Sequence, residues 1–294
     1  MSNFKLAVSC FLVTLAMFSV ACQAEEPANK GSSNLPGSML GTWQVTEVLF
    51  DQGDNQSTQG LDDKYLVPKY QGRIFDFASD RISVNTPKDT TCESPKFTSR
   101  KSTVGKIIAK SISSRIFDKT QPTAKDMKLP LADETSVEVL YLTCDGVLRS
   151  KNRDRKVFAD LSNALWFIEL DKNKLAMSWQ EESVLILSRV KDNAKPAASF
   201  NCAKAGTEVE KTICGSIGLA AYDKSLAQSY KQVKAYYKSK PNSKSVLAEL
   251  KASQREWISQ RNKCGADEAC LEKVMYIRIG DLIYDLGDYM YQNR

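Results

Sequence analysis

"SFNCAKAGTEVEKTICGS", residues 199–216, sets Cys202 and Cys214 twelve positions apart with Thr207 and Glu210 between them. That spacing suits either a reactive site or a staple, and the local chemistry favours the staple. Thr207 followed three places on by Glu210 is a capping box, in which each side chain satisfies a free backbone N–H at a helix start. The helix it opens is short, because Gly215 follows Cys214. A bond between the two cysteines would tie the incoming chain across that single turn, and a closed loop of this order is worth about 3 kcal/mol in the chain-entropy model. Glu208 and Glu210 could be offered as a hydrolytic carboxylate pair, but a spacing of two puts them on different sides of a helix, and Glu210 already has a capping role.

Downstream, the apolar period is that of helices. In "LAAYDKSLAQSYKQVKAYYK" Leu219, Tyr222, Leu226, Tyr230, Val233 and Tyr237 recur at steps of three and four, on one face. Pro241 and Asn242 then break the chain. "SVLAELKASQREWISQRNKC" places Leu247, Leu250, Gln254, Trp257 and Arg261 at the same steps, and "DEACLEKVMYIRIGDLIYDLGDYMY" does so with Leu271, Met275, Arg278, Leu282 and Tyr289. Three amphipathic helices follow. Cys264 and Cys270 flank the turn between the last two, where Gly265 ends one helix and Asp267 caps the next. The four cysteines allow three pairings; the two local ones are favoured. Asp223, Gln254, Arg261 and Arg278 fall on or beside the apolar stripes, where an unpartnered charge is costly, so an interhelical hydrogen-bonded network is expected of them.

Upstream of "VKDNAKPAASF" the pattern changes. "WQVTEVLF", "GRIFDFAS", "RISVNT", "SVEVLYLTC", "ALWFIEL", "KLAMSW" and "SVLILSRV" are alternating or β-branched runs separated by turn-rich segments, and predict a meander of about eight strands. Such a sheet hides its edges by closing into a barrel or folding into a sandwich. The fold class is therefore α+β in two domains, an N-terminal antiparallel β-barrel or sandwich followed by a disulfide-stapled three-helix domain. Residues 39–195 form the first and 196–294 the second.

The opening "MSNFKLAVSCFLVTLAMFSVACQA" places one lysine before a short apolar run ending in small residues, the pattern of a secretory signal, here assigned to residues 1–22 with a flexible linker over 23–38. Cys22 stands after Ser19-Val20-Ala21, as in a bacterial lipoprotein box, the alternative being ordinary cleavage near Ala21 or Ala24. On the first reading lipid at Cys22 anchors the protein to the outer membrane; on the second it is free in the periplasm. Either way Cys92, Cys144, Cys202, Cys214, Cys264 and Cys270 remain, and an even count in an oxidising compartment argues for three disulfides, with Cys92 and Cys144 clipping a loop to a strand. The chain contains no histidine, which removes Ser/His/Asp and Cys/His catalysis and every metal site that needs an imidazole. No catalytic, metal or cofactor site is assigned.

Gly41-Thr42-Trp43 with Arg189 in the last strand resembles the lipocalin-like pattern of an opening Gly-x-Trp and a closing-strand arginine, which implies that Arg189 packs across Trp43 and closes one barrel end. More extensively, Phe200, Cys202, Ala205, Thr207, Glu210, Ile213 and Cys214, then Leu219, Asp223, Leu226 and Tyr230, then Gln254, Trp257, Arg261, Cys264, Cys270, Leu271 and Arg278 resemble the LprI-like lysozyme inhibitor domain over about residues 199 to 287. The resemblance implies an exported bacterial protein that binds a protein partner, a lysozyme-like hydrolase, and is not an enzyme. A periplasmic immunity protein against a toxin and a lipocalin-like small-molecule carrier are the alternatives. From Ser199 to Arg294 there are 15 basic and 11 acidic side chains, interspersed, and the export signal separates the protein from nucleic acid.

Overall fold

Strands form where Val, Ile, Phe and Trp alternate along short segments bounded by turns, since branched and aromatic side chains pack well on a pleated surface. In the computed structural model, which describes residues 35–53, 63–87, 91–112, 119–144, 165–180 and 182–292, these segments are β1 (Gly41–Leu49), β2 (Ile74–Phe77), β3 (Arg81–Val84), β4 (Cys92–Glu93), β5 (Pro95–Thr103), β6 (Ser136–Cys144), β7 (Leu165–Asp171), β8 (Lys174–Ser178) and β9 (Val184–Arg189). Two short helices interrupt them, α1 (Val67–Tyr70) and α2 (Val104–Ser111). The helical region holds α3 (Glu208–Gly215), α4 (Ile217–Lys238), α5 (Ser243–Asn262) and α6 (Glu268–Gln292). The signal segment assigned to residues 1–22, Cys22, and most of the linker over 23–38 lie outside the described residues, as does the side chain of Cys144.

All nine strands join one antiparallel sheet in the order β4-β3-β2-β1-β9-β8-β7-β6-β5. Its two outer strands, β4 and β5, are separated in sequence only by Ser94, which turns in left-handed backbone at φ 48°. The sheet must therefore curl until its ends approach, and it forms a half-barrel. Likeness to a lipocalin extends to this curl and to one contact: Trp43 pairs with Arg189 across β1 and β9, and the guanidinium lies 4.2 Å over the indole. Arg189 also donates to the carbonyls of Leu40, at 2.7 Å, and Ser38.

Inside the curl, Phe75 meets Trp179 edge-on at 5.2 Å, and Phe77 meets Phe167 at 5.7 Å. These rings, with Leu175, Met177, Leu185 and Leu187, fill the concave side. On the convex side Trp166, Ile168, Ala176, Val184 and Ile186 form a second core beneath Ile107 and Ile108 of α2 and Met127. Trp166 Nε1 donates to Ser111 Oγ at 2.6 Å, so the indole's polar edge is satisfied in burial. Covering both faces explains why β7 and β9 read as continuous apolar runs rather than alternating ones.

Two strands escape the sequence reading, which expects about eight. β4 is only two residues long, and β5, "PKFTSRKST", buries little beyond Pro95 and Phe97. At the outer edge of a sheet a polar, lysine-bearing strand is tolerated and even protective.

Among the helices α4 is central. It buries Leu219, Ala220, Ala221, Tyr222, Leu226, Val233 and Tyr237, and it packs on α6, which contributes Leu271, Met275, Ile279, Leu282 and Leu286 to the same core. The α5 stripe behaves differently. Only Leu250 is fully buried, because α5 is an outer layer touching its neighbours along one edge.

Sheet and helices share one connected core, and the junction is specific. Gly72 sits at φ +78°, and a Cβ there would stand 2.8 Å from Ala221 Cβ. Next to it Arg73, 3 % exposed, lays its guanidinium 3.3 Å over the Tyr222 ring. Its Nη2 donates to Ser225 Oγ at 3.0 Å, Ser225 Oγ donates to the Gln71 carbonyl at 3.0 Å, and Tyr222 Oη donates to the Asn85 carbonyl at 2.6 Å. Gly72→Ala therefore imposes both a left-handed backbone on an L-residue and an overlap with α4. We expect a loss of roughly 1–3 kcal/mol in denaturant unfolding, whereas Gly215→Ala, with nothing within 4 Å of its added methyl, should be nearly silent; equal effects would show that the junction is not closely packed.

Candidate functional site at the stapled end of the helices

The first staple begins with the capping box. Thr207 Oγ1 accepts from the Glu210 N–H at 3.2 Å, and Glu210 Oε2 accepts from Thr207 at 3.0 Å and Gly206 at 2.8 Å. The backbone N–H groups of Thr207 and then Gly206 hold the Glu210 carboxyl below the usual carboxylate range. Seven residues beyond Thr207, Cys214 closes a disulfide with Cys202, the Cα atoms 5.6 Å apart. Ser216 then caps α4 by accepting from Leu219 N–H at 3.3 Å.

The second staple, Cys264–Cys270, also spans 5.6 Å between Cα atoms. Gly265 takes φ +55°, and Asp267 Oδ1 accepts from Cys270 N–H at 3.0 Å, so the turn ends α5 and caps α6. A Cβ on Gly265 would lie 3.0 Å from Glu208 Oε2, so this turn rests against α3 and the two staples sit side by side. Cys92 is buried and disulfide-bonded.

Asp223, Gln254, Arg261 and Arg278 do not make the single network expected of them. Asp223 Oδ2 accepts from the Ser199 N–H at 2.6 Å, fastening the incoming chain to α4. Arg261 is lowered from its ordinary basicity by burial, and the carboxylates of Asp223 and Glu210 oppose that shift. Its guanidinium lies 5.4 Å from the Trp257 ring and donates to Asn262 Oδ1 at 3.2 and 2.9 Å. Farther along, Arg278 donates from Nε to Gln254 Oε1 at 3.1 Å and from Nη2 to Ser253 Oγ at 2.7 Å; burial lowers its basicity, and the charges of Asp281 and Asp285 oppose that shift. Two clusters result because Gln254 and Arg261 are two helical turns apart, about 10 Å at 1.5 Å per residue.

Beside the staples lies a cleft of about 610 Å³. Ser216, Gly218 and Leu219 of the α4 start form one wall, Glu268, Glu272 and Lys273 of α6 another, and Asn85 and Pro87 a third. Burial raises the Glu272 carboxyl, with Arg73 opposing. Arg73 and Asn85 carry no signal in the sequence reading; a glycine ahead of a strand is all that marks the junction.

The arrangement is a rigid edge whose polar groups are largely committed to one another, suited to recognition. A covalently stapled helical layer seated on a curled antiparallel sheet is the class of protein these features define. Residues 201–284 match the family model described as lysozyme inhibitor LprI. That span takes in both staples and none of the sheet. No curated protein and no solved structure matches the chain.

Replacing Cys202 and Cys214 together by serine should reduce stability by about 3 kcal/mol, and the shorter Cys264–Cys270 loop by about 2 kcal/mol, by the chain-entropy argument. Asp223→Ala should lower the melting temperature as well, since it releases the Ser199 N–H. Urea titrations read both, and a larger loss from the shorter loop would contradict the entropic account.

Proposed function

We propose that the protein is exported to the bacterial envelope and there binds and inhibits a lysozyme-like cell-wall hydrolase, protecting peptidoglycan. The match of residues 201–284 to a family described as lysozyme inhibitors carries this reading. On it the helical region, residues 196–294, does the binding, and the β-rich region over 39–195 holds it. The stapled edge formed by the residues around Cys202, Thr207, Gly265 and Asp267 occludes the glycan cleft. Disulfides and caps keep that edge in one shape before contact, which lowers the entropy lost on association. The protein acts by occupying its target, without chemistry or cofactor of its own. The periplasm, with or without a lipid anchor at Cys22, supplies the oxidising conditions that disulfides require.

A second reading, a periplasmic immunity protein, is favoured by charge. The chain from Ser199 onward has a net charge of +4 from its 15 basic and 11 acidic side chains, which steers an acidic toxin toward it and slows encounter with a basic lysozyme. The carrier reading has less support, because aromatic rings occupy the inside of the curled sheet.

The test is inhibition by the whole mature protein of animal-type, goose-type and bacterial muramidases. Inhibition of at least one is expected, and it should weaken when Gly265→Trp places bulk on the edge while the melt stays cooperative. No inhibition of any of the three would move the immunity reading ahead.

A further inference from the structure

Beyond the hydrolase reading, and independent of it, we infer that the groove between β1 and α4 is a binding site for a carboxylate-bearing sugar. It has a volume of about 320 Å³ and shares no lining residue with the stapled cleft. Its apolar lining comes from Val45, Ala197, Ile217 and Ala221. Its lining also carries three amides, Gln44, Gln71 and Gln228, and two residues whose hydroxyls are already donated, Thr46 to the Ile186 carbonyl at 3.2 Å and Ser225 to the Gln71 carbonyl at 3.0 Å. Lys195 and Lys224 stand exposed at its mouth.

The charges around it have one sign. Asp and Glu are absent from its lining. The side chains of both lysines and of Gln228 make no hydrogen bond or ion pair among the described residues. The buried Arg73 guanidinium donates to the lining residue Ser225, and its Nη1 has no hydrogen-bond partner among the described residues. Gln44 and Gln71 engage backbone carbonyls only at 3.4 Å, contacts long enough to be exchanged for a ligand's. Asp223, the one carboxylate adjoining Lys224 in sequence, is buried and turned to the Ser199 N–H.

Apolar side chains interleaved with amides fit a pyranose, which presents C–H groups on one face and hydroxyls at its rim. Two free ammonium groups at the mouth fit a carboxylate on that ring. The walls are held in place before any ligand arrives: Gly72 closes against Ala221, Ser225 bridges Arg73 and Gln71, and Asp223 fastens the segment that carries Lys195.

The experiment uses the full mature chain with disulfides intact and follows the side-chain amide resonances of Gln44, Gln71 and Gln228. The probes are N-acetylmuramic acid, N-acetylglucosamine, which lacks the whole 3-O-lactyl group and with it the carboxylate, and lactate, which lacks the sugar. We expect the acid sugar at millimolar concentration to shift these resonances, with each partial probe about tenfold weaker, the loss of one charge-assisted hydrogen bond or of the ring contacts. Lys224→Gln and Lys195→Gln, both at exposed positions, should weaken the acid sugar toward the neutral one and leave the melting temperature unchanged. Equal binding of the two sugars, equal binding of lactate, shifts confined to other residues, or no shift at all would each overturn the assignment. Because the readout is sugar binding and not muramidase activity, its failure is distinguishable from failure of the inhibitor reading.

Discussion

One buried guanidinium decides how the two layers meet. Arg73 leaves the sheet at the start of β2, and its Nε and Nη2 hold the Gln71 carbonyl at 3.3 and 3.0 Å. Burial lowers its basicity, and Tyr222 and Glu272 oppose that effect. Taking such a cation out of water costs several kcal/mol unless it is well partnered. The partners come from both layers: the Tyr222 ring and Ser225 hydroxyl from α4, the carbonyl from the sheet's own turn. Sliding α4 along the sheet would strand the charge, so hydrophobic contact is converted into a single register. Gly72 makes this possible by letting backbone reach Ala221 without a Cβ between them.

The two cavities flank that contact without including Arg73 in their linings. Gln71, Gly72 and Ser225 border the groove, while Ile74, Asn85 and Glu272 border the cleft. The first turn of α4 divides them, Ile217 facing one and Gly218 and Leu219 the other.

Much of this architecture was legible in the sequence, and the limits have physical causes. The α4 stripe from Leu219 to Tyr237, the capping box and the seven quoted strand runs all rest on local periodicity or spacing, and each corresponds to an observed element. Spacing cannot choose among the three pairings that the four helical-region cysteines allow; the two local ones, favoured in the sequence, are those observed. β5 was missed because an edge strand needs few apolar residues, and its lysines read as loop. The α5 stripe overstates burial because periodicity reports which face turns inward, not how deeply the helix is set. The polar residues of the stripes were recognised as anomalous, but their division into two clusters depends on distances along and between helices. Arg73 was invisible: its partners lie about 150 residues away in sequence, and no spacing rule reaches that far.

The stapled edge and the groove share α4, which raises the question of whether occupancy of one would be felt at the other. Coupling needs an element with two arrangements of similar free energy, or a loose one that binding tightens. The start of α4 offers neither. Cys214, two residues before its cap, is bonded to Cys202; Ser216 caps the first turn; Gly218 lies against Asn85 and Ala221 against Gly72. With the segment constrained from both sides before any partner arrives, a ligand in the groove finds little left to order, and a partner at the edge meets the same surface whether or not the groove is filled. The free energies of the two associations should therefore add.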